Sequence, residues 1–202
     1  RAGLTGTLPQ QIEDALCVAK SSLSVDVGLP SVDMEICSIF EGGRAADADA
    51  RLRLIAALTS RGISTRVCLE PLLPLISDQR AMLDRTFAKL VSTGVHRVAV
   101  RYLVLTPHLV KLLSPRISPM QREVIRACFG QSPWLRPDPT TETWQGEQSY
   151  KLLPASLREQ GHQRIVHAAT AAGIVIDILD PSREAEDLSA PLHHMTTSAA
   201  RH

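Results

Sequence analysis

Polar residues that could bind an ionic ligand or move a proton stand beside a Pro at the end of four apolar runs. They are Ser31, Glu70, His108 and Asp180. A carboxylate accepts hydrogen bonds from an amine or a hydroxyl, and His titrates near neutral pH. In a parallel α/β barrel the site lies at the carboxyl ends of the strands, so these four positions are the first candidates. We expect His108 to contact substrate, with simple exposure after a Pro as the alternative.

Two arginines lie in one predicted strand, which runs from Arg97 to Leu105 and is predicted to be the longest. Alternation along the strand puts Arg97 and Arg101 on one face and Tyr102 on the other. An Arg on the inner face of a barrel needs an anion, which could be a substrate phosphate or the carboxylate of Glu70. We expect Arg101 to contact substrate, and a salt bridge at the edge of the barrel is the alternative.

The four cysteines do not form a metal-binding or redox motif. Their positions, 17, 37, 68 and 128, match neither CxxC nor CxxxCxxC spacing, so we expect core thiols and no metal site. The sequence also lacks GxGxxG, GxxxxGK[ST], HExxH and GxSxG. Phosphate-binding loops, zinc hydrolysis and a serine nucleophile are therefore without their usual signals. We interpret His193 and His194 as part of a solvated tail.

These residues depend for their placement on a unit that recurs along the chain. The unit closes a helix with Gly, continues with Ile or Val, runs as a strand and ends at a Pro. It appears as LTSRGISTRVCLEP, LVSTGVHRVAVRYLVLTP and ATAAGIVIDILDP, with its glycines at 62, 94 and 173. A repeated helix, Gly and nearly all-apolar strand is typical of a parallel sheet covered by helices.

The best-defined unit lies near the middle of the chain. Asp47 or Asp49 is predicted to cap its helix, and Ile63–Leu69 to form its strand. Asp78 is predicted to cap the next helix, Gln79–Thr93.

Towards the end of the chain, Gly130–Tyr150 is irregular and carries both tryptophans, Trp134 and Trp144. These rings could stack on a nucleic-acid base or pack as plugs over the core. Ala155–Ala172 is predicted to be the last helix and Ile174–Leu179 the last strand.

Composition sets the limits on protein class. The chain has 202 residues, 44% of them hydrophobic, and a net charge of +1. This length and hydrophobic content allow one sizeable core. The balanced charge removes the net-charge argument for binding nucleic acid or a membrane surface, although a local basic groove stays open. No apolar run is long enough to span a bilayer and residues 1–10 lack the regions of a signal peptide, so we expect a cytoplasmic protein.

Five features follow one another in a recognisable order. They are a strand ending in VDVGLPSVD, the turn FEGG, the helix start RLRLIAAL, the segment SRGISTRVCLEPLLPLISD and the strand GVHRVAVRYLVLTP. This order resembles the radical S-adenosylmethionine enzymes, and within them the spore photoproduct lyase-like group, often labelled DNA repair photolyases. The resemblance extends from Leu23 to Asp180 and is sharpest from Phe40 to Asp78.

The resemblance implies an α/β fold of the partial TIM type, a (β/α) barrel of parallel strands with outer helices whose amino-terminal units are missing. Residues 1–180 would form its carboxyl-terminal part, and residues 181–202 a disordered tail. S-adenosylmethionine and a [4Fe–4S] cluster are the implied cofactors. The three closely spaced cysteines that hold the cluster in the family are absent here. Because the chain begins with Arg1 and not Met, we expect that residues preceding it have been lost.

The same resemblance implies a cofactor-binding set of three residues. Arg51 could pair with the carboxylate of S-adenosylmethionine in a bidentate contact, and the alternative is a surface Arg in a first helical turn. Glu70 could bind a ribose or an amine of the cofactor, and the alternative is a cap on the neighbouring loop. Ser31 completes the set. Gly28 stands where the family usually has a Ser.

Two functions follow as hypotheses. The first is part of a radical S-adenosylmethionine iron–sulfur enzyme, lyase-like, which generates a 5′-deoxyadenosyl radical in the complete chain. Its substrate is unknown, and nucleic acid is one candidate. The second is a half-barrel without a cluster that acts as a binding or interaction subunit. Both predict an exposed apolar edge at the first strand, which the missing amino-terminal half or a partner would cover. Under the first hypothesis, this chain alone is expected to be inactive.

Overall fold

The structure is a computed structural model, and it describes residues 10–41, 47–136 and 149–180. Trp144, the paired histidines near the carboxyl terminus and the predicted tail from Pro181 lie outside the described residues. None of the described helices is long and apolar enough to cross a membrane.

Seven helices and four strands make up the described part of the chain. The helices are α1 (Gln10–Ala19), α2 (Met34–Glu41), α3 (Ala48–Ser60), α4 (Arg80–Ser92), α5 (Pro107–Leu113), α6 (Pro119–Phe129) and α7 (Ala155–Ala171). The strands are β1 (Ser24–Gly28), β2 (Ser64–Leu72), β3 (Arg97–Tyr102) and β4 (Val175–Ile178).

The four strands form one sheet in which every pairing is parallel. Its order is β1-β2-β3-β4, so each strand lies beside the strand that follows it in the chain. Helix α3 packs on β2 and α4, while α7 packs on α4 and β4. Connections between parallel strands are right-handed as a rule, so a sheet that never reverses its order collects its helices on one face. The predicted α/β class with a parallel sheet is confirmed.

The face that these helices cover is apolar. Alternate strand residues are buried there against helix residues, among them Val27, Val67, Leu69, Val98, Val100, Leu58, Phe87, Leu90 and Ile165. Each large apolar side chain buried in this way contributes about 1.5–3 kcal/mol to folding. The opposite face of the sheet is left for other residues.

The predicted glycine breaks are confirmed. Gly62, Gly94 and Gly173 have φ angles of 71°, 81° and 70°, a left-handed conformation that strains any residue with a Cβ. The cap at Asp47 is also confirmed, because its side chain accepts a hydrogen bond from the Ala50 amide at 2.6 Å. These turns fix where each following strand begins.

The prediction that the strand beginning at Arg97 is the longest is wrong. Strand β2 has nine residues, whereas β3 has six and ends at Tyr102. Beyond Tyr102 the chain leaves the sheet, since Leu105 pairs with Lys151 in an isolated antiparallel bridge and Thr106 caps α5. The last strand, β4, has four residues and is also shorter than predicted.

Candidate functional site

Charged side chains occupy the sheet face opposite the helices. They alternate along the strands with the buried apolar residues and comprise Asp26, Arg66, Glu70, Arg97, Arg101 and Asp177. We call this set the charged face. Because charged groups in a partly buried setting need partners, their pairing shows how the face is organised.

Near the amino ends of the strands, four of these residues form one network. Arg66 donates to both carboxylate oxygens of Asp26, at 2.9 and 2.6 Å, and to Asp177 at 3.1 Å. Arg97 donates to Asp177 at 2.8 and 3.3 Å. The hydrogen bonds from Arg97 and then from Arg66 hold the pKa of Asp177 below its usual value. The network therefore ties all four strands together.

Near the carboxyl ends of β2 and β3, Arg101 pairs with Glu70. The Arg101 Nε and Nη2 atoms both donate to Oε2 of Glu70, at 2.9 and 2.5 Å, and each side chain is about one quarter exposed. The Glu70 carboxylate is one of the two anions that were predicted for an Arg on the inner face of a barrel. A shallow pocket of about 290 Å³ opens beside the pair. Its other walls come from Pro71, Tyr102, Leu103, Val104 and Leu109.

A row of small residues runs between Arg66 and the Glu70–Arg101 pair and ends at Asp177 of the network. Gly28 lies opposite Cys68, and Cys68 lies opposite Ala99. A Cβ built on Gly28 would meet no atom within 4 Å. Space is therefore open beside Gly28, whereas Cys68 and Ala99 in the same row are buried.

The pairing between β2 and β3 is irregular beside this pair. The register shifts between Leu69 and Leu72, a stretch that contains Glu70 and Pro71. Irregularities of this kind often occur next to functional sites, where they re-aim a side chain. Here the shifted stretch is the one that directs the Glu70 carboxylate to Arg101.

Ser31 and Arg51 are buried near the end of β1, each only 3% exposed. Arg51 Nη1 donates to the carbonyl oxygen of Gly28 at 2.8 Å, so the alternative of a surface Arg is wrong. Ser31 Oγ accepts from the Asp33 amide at 3.0 Å, and its carbonyl oxygen accepts from Cys37 Sγ at 2.9 Å. In this structure both residues hold the chain where it leaves β1.

The other strand-end candidates have different surroundings. His108 is exposed in the first turn of α5, one residue before the pocket residue Leu109. Asp180 forms an ion pair with Arg158 at 3.3 Å. Of the predicted site residues, the structure thus brings Glu70 and Arg101 into direct contact.

The prediction that Asp78 caps the helix after β2 is wrong. Gln79 is the N-cap of α4 and makes no side-chain cap bond, whereas Asp78 is 1% exposed. Its Oδ2 accepts from Tyr102 Oη at 2.6 Å and from Arg164 Nη2 at 2.7 Å. Asp78 therefore turns inward, where a hydroxyl and a guanidinium make charge-assisted hydrogen bonds with it.

The cysteines are free thiols, as predicted. Cys37, Cys68 and Cys128 are buried and Cys17 is partly buried. Burial, and to a lesser degree the charge of Asp78, raise the pKa of the Cys128 thiol. Within the described ranges, no group of three or more His, Cys, Asp or Glu residues is arranged to hold a metal ion.

Trp134, predicted either to stack on a base or to pack as a plug, is 48% exposed and does not fill the core. The Lys151 ammonium lies 5.1 Å from the centre of its ring, within the range of a cation–π contact. The exposed ring is compatible with stacking on a base, and the stacking hypothesis stays a prediction.

Sequence reasoning did not single out Asp26, Arg66 or Asp177. Their signal was present in SVDVG, STRVCLE and VIDI, where each charged residue alternates with apolar neighbours. Alternation of this kind indicates a strand with one polar face.

Comparison of the chain with protein-family models, with curated proteins and with solved structures finds no match, so its function has to be inferred from the site.

Proposed function

We propose that the chain is the carboxyl-terminal part of a partial (β/α) barrel of the radical S-adenosylmethionine type. In this proposal the pocket beside Glu70 and Arg101 binds the cofactor. The observation that carries the proposal is the position of this pair, on the face opposite the helices at the carboxyl ends of two adjacent parallel strands. Ligand sites of (β/α) barrels lie at this end.

The topology supports the barrel. Four parallel strands follow one another in sheet order and their helices pack in sequence on one face. A sheet built from such units curves in one direction as strands are added. The charged face would then line the interior of the barrel, and its ion network would lie at the end that usually serves stability.

The chemistry of the pocket supports the ligand. The methionyl part of S-adenosylmethionine carries a carboxylate and an ammonium group. A guanidinium matches the carboxylate with two parallel hydrogen bonds, and Glu70 offers an acceptor for the ammonium. The ligand would exchange the internal Arg101–Glu70 pair for two pairs of its own. Pro71, Leu103, Val104 and Leu109 give the pocket an apolar wall.

The residues present do not fit an iron–sulfur cluster. Such a cluster needs closely spaced thiolates, whereas the cysteines at 37, 68 and 128 are each buried in separate elements. For this chain the proposal is therefore limited to binding and orienting the cofactor.

Titration calorimetry with S-adenosylmethionine tests the proposal on the natural full-length polypeptide. We expect Arg101→Gln to weaken binding about tenfold or more, since it removes a charge-assisted contact worth about 1.5–3 kcal/mol. Arg97→Gln is the matched control, because Arg97 lies on the same strand and the same face but belongs to the network. Equal effects of the two variants, or no binding by the unaltered protein, would contradict the proposal.

A second candidate is a binding or interaction subunit that contains no cluster. It is favoured by strand β4, where Val175 and Ile178 are 62% and 40% exposed along a sheet edge that pairs with no further strand in the described residues. A strand edge with exposed apolar residues can pair with another chain, and β4 offers four residues for this. Sedimentation of the full-length polypeptide, alone and with Val175→Lys, would show whether this edge mediates association.

A further inference from the structure

The buried Asp78 joins three elements at one point. It lies in the loop between β2 and α4 and accepts from Tyr102 at the end of β3 and from Arg164 on α7. Burial, followed by the nearby charge of Asp78, raises the pKa of Tyr102, so its hydroxyl remains a donor. We call Asp78, Tyr102 and Arg164 the Asp78 clamp.

The packing around the clamp leaves no spare room. A Cβ on Gly161 of α7 would overlap the Tyr102 hydroxyl and would lie 3.0 Å from Asp78 Oδ2. A Gly inside a helix costs about 1 kcal/mol relative to Ala. Gly161 stands where the hydroxyl needs the space, so α7 is fitted closely to the Tyr102–Asp78 hydrogen bond.

The clamp is connected to the pocket through the backbone of β3. Tyr102 is the last residue of the strand and also lines the pocket. Arg101 is its neighbour and projects from the opposite face. Holding Tyr102 on the helix face therefore fixes the backbone from which Arg101 reaches Glu70. The Leu103 amide, which donates to the Leu72 carbonyl at 2.9 Å, completes the connection between the two strand ends.

One further observation sets the clamp apart from ordinary core packing. Within the described residues, Asp78 Oδ1 is buried without a hydrogen-bond partner. Leaving a buried carboxylate oxygen unpaired is costly, and native proteins keep few such groups. An apolar residue would avoid this cost but would release both Tyr102 and Arg164.

We infer that Asp78 is a positioning residue for the Glu70–Arg101 pocket. Through Tyr102 it sets the carboxyl end of β3, and through Arg164 it ties that end to α7. The role in ligand binding rests on the proposed function, whereas the role in holding the Glu70–Arg101 contact does not.

A double-mutant cycle tests the contact without any ligand. Glu70→Gln, Arg101→Gln and the double variant give the coupling of the pair in the unfolding equilibrium constant, about three- to fivefold for a partly exposed pair. We expect the coupling to fall close to onefold when the cycle is repeated in an Asp78→Asn background. An Asp84→Asn background is the control, because Asp84 is an exposed carboxylate on α4.

Calorimetry with S-adenosylmethionine tests the role in binding. The Kd of the folded full-length polypeptide should rise about tenfold with Asp78→Asn, about 1.4 kcal/mol, and stay unchanged with Asp84→Asn. Tyr102→Phe should add little in the Asp78→Asn background, since its partner is already lost.

The outcomes separate the two proposals. If the unaltered protein does not bind S-adenosylmethionine, the proposed function fails while the double-mutant cycle still decides the role of Asp78. If Asp78→Asn lowers the melting temperature but leaves the Glu70–Arg101 coupling unchanged, Asp78 serves stability alone and the inference is overturned.

Discussion

The two ends of the charged face use the same side-chain chemistry in different ways. At the amino ends of the strands, Arg66 serves two carboxylates and Asp177 serves two guanidiniums, so each central charge is shared. At the carboxyl ends, Arg101 and Glu70 meet beside a pocket. Shared charges are difficult to separate, because moving one charged side chain leaves another partly buried without its partner. The first group is therefore suited to holding the sheet together, and under the proposed function the second exchanges its internal partners for a ligand.

Replacing Arg66 should reduce the stability of the fold more than any other change at the two ends of the charged face. Arg66→Met leaves Asp26 without its bidentate partner and removes one of the two cations from Asp177, and we expect a loss of about 2 kcal/mol in the free energy of unfolding. Urea denaturation measures this loss. Arg80→Met is the control, since Arg80 pairs with Asp84 on an exposed helix surface and should cost at most about 0.5 kcal/mol. Similar losses in both variants would show that the network stabilises the fold no more than an exposed ion pair does.

Acid should weaken the network through Asp177. Its pKa is lowered in the folded protein by Arg97 and then by Arg66, so the folded state binds fewer protons than the unfolded state. The resulting stabilisation is present above the unfolded pKa of about 3.9 and is lost as the pH falls through the folded pKa. We expect the pH dependence of unfolding below about pH 4 to flatten in Asp177→Asn. The same slope in wild type and variant would contradict this assignment.

Two arginines on one strand sharpen the comparison directly. Arg101→Gln leaves a partly buried Glu70 without its guanidinium, and we expect a cost of about 1 kcal/mol in the free energy of unfolding. Arg97→Gln should cost about 0.5 kcal/mol or less, because Arg97 is 62% exposed and Asp177 keeps Arg66. Parallel urea titrations of the two variants compare them. A larger loss for Arg97→Gln would reverse the order proposed here.

The smallest effect on stability is expected from a change at Gly28, which lies between the two ends of the charged face. Gly28→Ala adds a methyl group where no atom lies within 4 Å, and φ is not in the left-handed region. It should stabilise the fold by about 0.5 kcal/mol, because Ala has less conformational freedom to lose than Gly. If a ligand lies over the row of small residues, the same variant should weaken its binding. Thermal unfolding and calorimetry on one preparation would separate these effects.

The sequence was sufficient for the repeated unit and for the faces of its strands. A Gly followed by an apolar run identified three of the four strands, and each of these glycines has a positive φ in the structure. Alternation placed Arg97, Arg101 and Tyr102 on their correct faces. These features depend on neighbouring residues only. The repeated unit and the strand faces can therefore be predicted from local sequence alone.

Features that depend on distant residues were not predicted. Asp78 looked like a helix cap because its partners, Tyr102 and Arg164, lie 24 and 86 positions further along the chain. Arg51 allowed a surface interpretation because its acceptor, the Gly28 carbonyl, belongs to another element. The strand from Arg97 was judged too long because Lys151 draws the chain away at Leu105. Long-range pairing decides each of these cases.

The three glycine turns also bear on how this protein can be altered. At the amino ends of the strands the connections span only residues 61–63, 93–96 and 172–174, and each depends on a left-handed Gly. Insertions there would shift the register of a whole strand. Of the opposite connections, residues 73–79 after β2 hold Leu75 at a φ of 58° and contain the buried Asp78. Libraries that vary binding specificity should therefore leave both the glycine turns and the Asp78 position unchanged.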